Sequence, residues 1–188
     1  MSSLKLRILA LTLAAAMAGQ AAQPIILPTL GFDTLSKQHL TLPADFHTDR
    51  NLLLLYFDLT QQPDVDSWNK IIDGWRANDP SLTAYTSLVS PQKNFLSRWW
   101  QNASMRSASP DSSRWATTLP MYVDKRAFER KLEITTEKQT VLLLLDRMGR
   151  VLNRVNGPPT DNSRNAMQAA LSAAGSRVSP AAANPAPH

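Results

Sequence analysis

Two stretches of this chain are apolar without interruption over the length of a strand: Asn51 to Asp58, reading Asn-Leu-Leu-Leu-Leu-Tyr-Phe-Asp, and Thr140 to Asp146, reading Thr-Val-Leu-Leu-Leu-Leu-Asp. Successive side chains of a strand point to opposite faces, so a run with no polar alternation needs cover on both sides. Such strands belong in the middle of a sheet flanked by helices. The fold class expected is therefore α/β, with a central sheet covered by helices.

The segments around these runs fit that plan. After the turn-like Gln61 to Asp64, Trp68, Ile71, Ile72 and Trp75 fall at i, i+3, i+4 and i+7, which predicts a helix packed on the sheet with Asp64 or Asp66 as its cap. Leu82 to Val89 is rich in β-formers and reads as a second parallel strand ended by Pro91. Asn94 to Arg106 reads as a helix, Ser107 to Arg114 as a polar loop, and Leu119 to Val123 as a short strand. Asp124 is placed to cap a charged helix, Lys125 to Leu132, whose apolar side is Ala127, Phe128 and Leu132. Arg147-Met148-Gly149 makes a tight turn into Arg150 to Val155, a hairpin partner for the second apolar run. Asp161 or Ser163 can cap a final helix bearing Ala166, Met167, Ala170 and Leu171. Residues 24–50, with Pro24, Pro28 and Pro43, suggest an extended lead-in with a short strand or hairpin.

The N-terminus has three regions in order: Lys5 and Arg7, the apolar run Ile8 to Ala18, then the small residues Gly19, Ala21 and Ala22. That order is a secretory signal, with cleavage after Ala18 or after Ala21. The apolar run is about 11 residues where a membrane span takes roughly 20; a retained N-terminal membrane anchor is the alternative. The expected division is a signal over 1–22, a single domain over 23–174 and a disordered Ala/Pro-rich tail over 175–188, the mature product being periplasmic with no transmembrane segment.

Composition excludes several chemistries. The chain has no cysteine, which removes thiol nucleophiles, thiolate metal sites and disulfides together. Its net charge is +5, or +3 without Lys5 and Arg7, and its basic residues are scattered, so nucleic acid is not an expected partner. His39, His47 and His188 have no compact ligand spacing, so no metal site is expected, and no cofactor either. There is no Gly-x-Ser-x-Gly elbow and no Gly-rich phosphate loop, and Asp64 and Asp66, two apart, point in different directions on a helix. No catalytic residue is assigned.

Trp99 and Trp100 are adjacent on a presumed helix and cannot both face inward. With Arg98, Arg106, Arg114 and Trp115 they make a candidate partner-binding patch, because Trp and Arg are favoured anchors at interfaces. The plainer alternative is that the second ring covers a neighbouring loop.

The order of elements, with Leu119-Pro-Met-Tyr-Val-Asp124, Leu132-Glu-Ile134 and Thr140 to Val151, resembles a thioredoxin-like redoxin domain over about residues 40–173. The resemblance implies a mixed central sheet flanked by helices, with a C-terminal β-hairpin and final helix. It also implies a reactive cysteine in the turn after the first long strand and a cis-proline before the hairpin strand. Here that turn is Asp58 to Asp66, with three acids and no thiol, and Gln139 or Thr140 stands in the place of the proline. Among cysteine-free relatives, Asp66-Ser67-Trp68 and the stretch from Leu132 to Gly149 are similar to the mitochondrial ATP synthase assembly-factor group. That resemblance implies assembly of a membrane complex rather than catalysis. The function expected is an exported, redox-inactive module that binds or assembles another protein of the bacterial envelope. The alternative is a small-ligand protein, or an enzyme of non-thiol chemistry, with a pocket near residues 60–66.

Overall fold

The computed structural model describes residues 23–91, 102–107 and 112–178. Its elements are β1 (Leu30–Asp33), β2 (His39–Leu42), β3 (Arg50–Tyr56), α1 (Gln62–Asn78), β4 (Leu82–Pro91), α2 (102–107), β5 (Met121–Val123), α3 (Lys125–Lys131), β6 (Val141–Leu145), β7 (Val151–Asn156) and α4 (Asp161–Val178). Five strands form one sheet in the order β5-β4-β3-β6-β7, while β1 and β2 form a separate antiparallel hairpin. β3 lies at the centre, parallel to β4 and antiparallel to β6, with Leu53 opposite both Tyr85 and Leu143. The two leucine runs are thus direct neighbours, as two-sided burial requires.

Alternation along the runs feeds two separate cores. Leu53 and Leu55 of β3 join Val141, Leu143 and Leu145 of β6 on one face, covered by Phe32 and Leu42 of the hairpin and by Phe128 and Leu132 at α3. Leu52, Leu54 and Tyr56 join Leu142 and Leu144 on the other, covered by Val65, Trp68 and Ile72 of α1 and by Met167, Leu171 and Ala174 of α4. Leu52 through Leu55 and Leu142 through Leu145 are each 0% exposed, and full burial of one such side chain stabilises by about 1.5–3 kcal/mol.

The α1 stripe is displaced from the expected one: Val65, Trp68 and Ile72 are buried, whereas Ile71 and Trp75 are only partly so. Neither Asp64 nor Asp66 caps this helix. Asp58 instead caps a 3-10 turn, Leu59–Gln61, that runs into α1 with Pro63 in its first turn, where a missing N–H costs nothing. Asp124 caps α3 as expected, accepting from the Ala127 amide at 3.1 Å. At α4 the capping oxygen is Thr160 Oγ1, which accepts from the Ser163 amide at 3.2 Å, rather than Asp161 or Ser163. Ala166 of the expected α4 stripe is exposed, because the stripe that meets the sheet runs Met167, Leu171, Ala174.

α4 runs through Val178. At Gly175 an added Cβ would come within 3.0 Å of Arg50 Nη1, so the helix seats its bare backbone against that guanidinium. Gly149 has φ +77°, and a Cβ there would stand 2.9 Å from Pro43 carbons; the β6–β7 turn therefore needs glycine on both counts. Among the described residues, no helix is long and apolar enough to cross a membrane. The expected signal segment and residues 179–188 lie outside the described residues.

Candidate functional site

The turn after the central strand is closed by a side chain. Gln61 is 8% exposed; its Oε1 accepts from the Phe57 amide at 2.8 Å and its Nε2 donates to the Glu137 carbonyl at 2.7 Å. One neutral amide therefore satisfies a buried backbone donor of its own turn and fastens that turn to the loop before β6, 76 residues further along the chain. Asp58 accepts from the Thr60 amide at 2.8 Å, and this hydrogen bond, with smaller help from Lys125, holds its carboxyl below the usual carboxylate range. Leu59 stands 62% exposed at the tip. Burial pushes the Tyr56 phenol up to about 12, with a further push from Asp66; it stays neutral and is no base at physiological pH.

Across the turn lies the segment 132–140. Lys125 Nζ pairs with Glu137 Oε2 at 2.5 Å and sits 5.5 Å from the centre of the Phe57 ring. Glu129, one helical turn after Lys125, is held above the usual carboxylate range by burial first and by Glu137 second. Glu137 is held below it chiefly by Lys125. Arg154 of β7 closes the C-terminal end of α3, donating to the Leu132 and Glu133 carbonyls, which suits the negative end of the helix dipole. Burial pushes this guanidinium down. Thr140 is fully buried, its hydroxyl donating to the Gly157 carbonyl at 2.9 Å, and Trp68 Nε1 donates to the same carbonyl at 2.8 Å. The cis peptide bond of the described residues is Leu42–Pro43, not 139–140.

A small cavity of about 60 Å³ opens beside this segment, lined by Thr135, Thr136, Gln139, Arg154 and Asn156 among others. None of residues 60–66 lines it, so the pocket considered near that turn does not coincide with this cavity. Among the described residues no group of three or more His, Asp or Glu is arranged to hold a metal ion; His39 pairs with Asp33 at 3.0 Å and His47 is exposed.

Of the partner-patch residues, Arg98, Trp99 and Trp100 lie outside the described residues. Arg106 donates from Nε to the Leu35 carbonyl at 3.0 Å and lies 5.8 Å from the centre of the Trp115 ring, while Arg114 pairs with Asp73 of α1. Trp115, partly buried, packs against the α1/α4 core. Arg106 and Trp115 come together, and the described contacts join Arg106 to Leu35 and Arg114 to α1. Gln61, Lys125, Glu129 and Glu137 were not singled out from sequence. The i, i+4 spacing of Lys125 and Glu129 signals a shared helix face, but nothing local places Glu137 or Gln61 beside them.

No protein-family model matches this chain, and no curated protein matches it. Solved structures do. BsSco, a member of the Sco family of cytochrome c oxidase assembly proteins, aligns with TM-score 0.58 at 16% identity over 84% of this chain and 99% of its own. A putative electron transfer protein from Aquifex aeolicus VF5 aligns with TM-score 0.62 at 9% identity, covering 81% of this chain and 98% of its own. The pneumococcal exposed lipoprotein thioredoxin of Streptococcus pneumoniae strain TIGR4 aligns with TM-score 0.55 at 8% identity, covering 78% and 99%. The protein has a thioredoxin-like fold, built on a sequence with no cysteine in it.

Proposed function

We propose that this protein is an exported, redox-inactive thioredoxin-like module that binds or helps assemble another protein of the bacterial envelope. The observation that carries this reading is Gln61: in the turn where the redoxin resemblance implies a reactive thiol, a buried amide spends both of its ends on backbone groups. A turn fixed in this way is a rigid surface feature rather than a reaction centre. The signal-like N-terminus supports export. BsSco supports an assembly role, since it belongs to a family of assembly proteins. The docking surface in this reading is the segment from Arg98 to Trp115, with Arg98, Trp99, Trp100, Arg106, Arg114 and Trp115 as its candidate anchors.

The test is capture. The protein is tagged at its C-terminus, crosslinked in living cells, and the products are taken from the envelope fraction. The reading expects one reproducible envelope protein whose yield falls when Trp100 or Trp115 is replaced by Ala while the thermal melt remains cooperative. Absence of any specific product, or capture indifferent to both changes, would contradict it.

A further inference from the structure

The rim between α3 and the loop before β6 brings two carboxyls together. The chain reverses at Glu133, whose φ is +51°, and returns Glu137 toward Glu129. Glu129 Oε1 is buried without a hydrogen-bond partner, and Glu129 and Glu137 lie within hydrogen-bonding reach of one another. Two carboxylates in contact repel, and a buried oxygen that meets no donor is costly; one proton between them removes both penalties. Lys125, at 2.5 Å from Glu137 Oε2, decides where the proton sits, because it favours the ionised form of Glu137 and leaves the proton on Glu129. The charges facing the pair are Lys125 and Arg126 of α3 and Glu137 itself, with Asp58 of the turn after β3 acting on Lys125.

We propose that Glu129 and Glu137 share one proton, and that the pair is a pH-operated latch on the clasp between Gln61 and the loop before β6. The link is short: the residue whose carboxylate completes the pair is the one whose carbonyl receives the Gln61 amide. With the proton in place the loop is held down and Gln61 keeps both of its bonds. Loss of that proton puts two negative charges beside Lys125 and weakens the hold of the loop on the Gln61 amide. Since Glu129 is raised above its ordinary value of 4.5, its contribution is present below 4.5 and is lost as pH rises through the raised value. Glu137 is lowered, so its pairing with Lys125 fails only under stronger acid. The clasp is tightest in the window between the two. The inference goes beyond the binding reading, whose docking segment is Arg98 to Trp115: acidification would stiffen a different segment, the turn after β3.

Carboxyl carbon-13 NMR on the intact protein, with amide hydrogen exchange at Phe57, tests this. One glutamate is expected to titrate above 4.5, to vanish in E129Q and to move down in E137Q. Phe57 exchange, corrected for intrinsic rate, should accelerate above that midpoint in the wild type and stay level in E129Q. Titration of Glu129 at or below 4.5 would overturn the proposal, and so would a Phe57 exchange profile unchanged by either substitution. The titration needs no partner, so its failure leaves the capture result standing, and failed capture leaves the titration standing.

Discussion

The side of the sheet beneath α1 and α4 is closed chiefly by apolar side chains, with Trp68 fully buried and its one polar atom bonded to the Gly157 carbonyl. The side beneath α3 starts from the same leucine runs, yet its rim is closed by Gln61, Lys125, Glu129, Glu137 and Arg154. Apolar closure is large in energy and indifferent to pH. Polar closure is smaller in energy and depends on protonation, geometry and every partner being present. Both faces bury an apolar core, and the difference lies at the rim: the turn where the redoxin resemblance implies a reactive thiol sits beside the polar closure.

Substitutions can break that contrast, and the largest effect belongs to the apolar side. Trp68→Ala should destabilise by about 3–5 kcal/mol, read as a fall in the urea midpoint with little change in slope; a loss under 1 kcal/mol would mean that this face is not the main support. On the rim, Gln61→Ala leaves the buried Phe57 amide without an acceptor and should cost about 1–3 kcal/mol, with faster exchange at Phe57 as its local signature. Trp68→Phe removes the N–H and part of a fully buried ring, so about 1–2 kcal/mol is expected from thermal melts. Asp124→Ala removes the α3 cap and should cost about 1 kcal/mol, visible as exchange confined to Lys125–Lys131. Smallest is Asp79→Asn at the Arg50 pair, about 1 kcal/mol or less since that pair is partly exposed. Asp79 is held below its ordinary value chiefly by the Ser81 hydroxyl, so its contribution is present above 3.8 and fades as pH falls; the variant should flatten the acid limb of stability against pH.

How much of this the sequence shows differs between the same two regions. The apolar side follows from periodicity: uninterrupted leucines place β3 and β6 at the centre of the sheet, and a 3.6-residue stripe brings α1 onto them. Helix ends were harder to place, because several residues compete for each cap. Pro63 and a 3-10 turn moved the start of α1 away from Asp64 and Asp66, and Thr160 precedes both acceptors considered for α4. The close approach of Arg50 to Gly175 of α4 joins residues more than a hundred positions apart in sequence. The rim is the least legible part. Gln61 and Glu137 are distant in the chain, and the approach of Glu129 to Glu137 needs a left-handed residue at Glu133 that no glycine announces. A missing cysteine was visible at once; the amide that fastens the turn in its place was not.

The central claim, a binding module rather than a reaction centre, is tested most directly by photocrosslinking in cells from two positions. A photoreactive phenylalanine analogue replaces Trp100 in one strain and Arg164, exposed on α4, in another. The account predicts one discrete envelope partner crosslinked from position 100, unaffected by reductant, and none from position 164. No crosslink from position 100, or the same products from both positions, would contradict it.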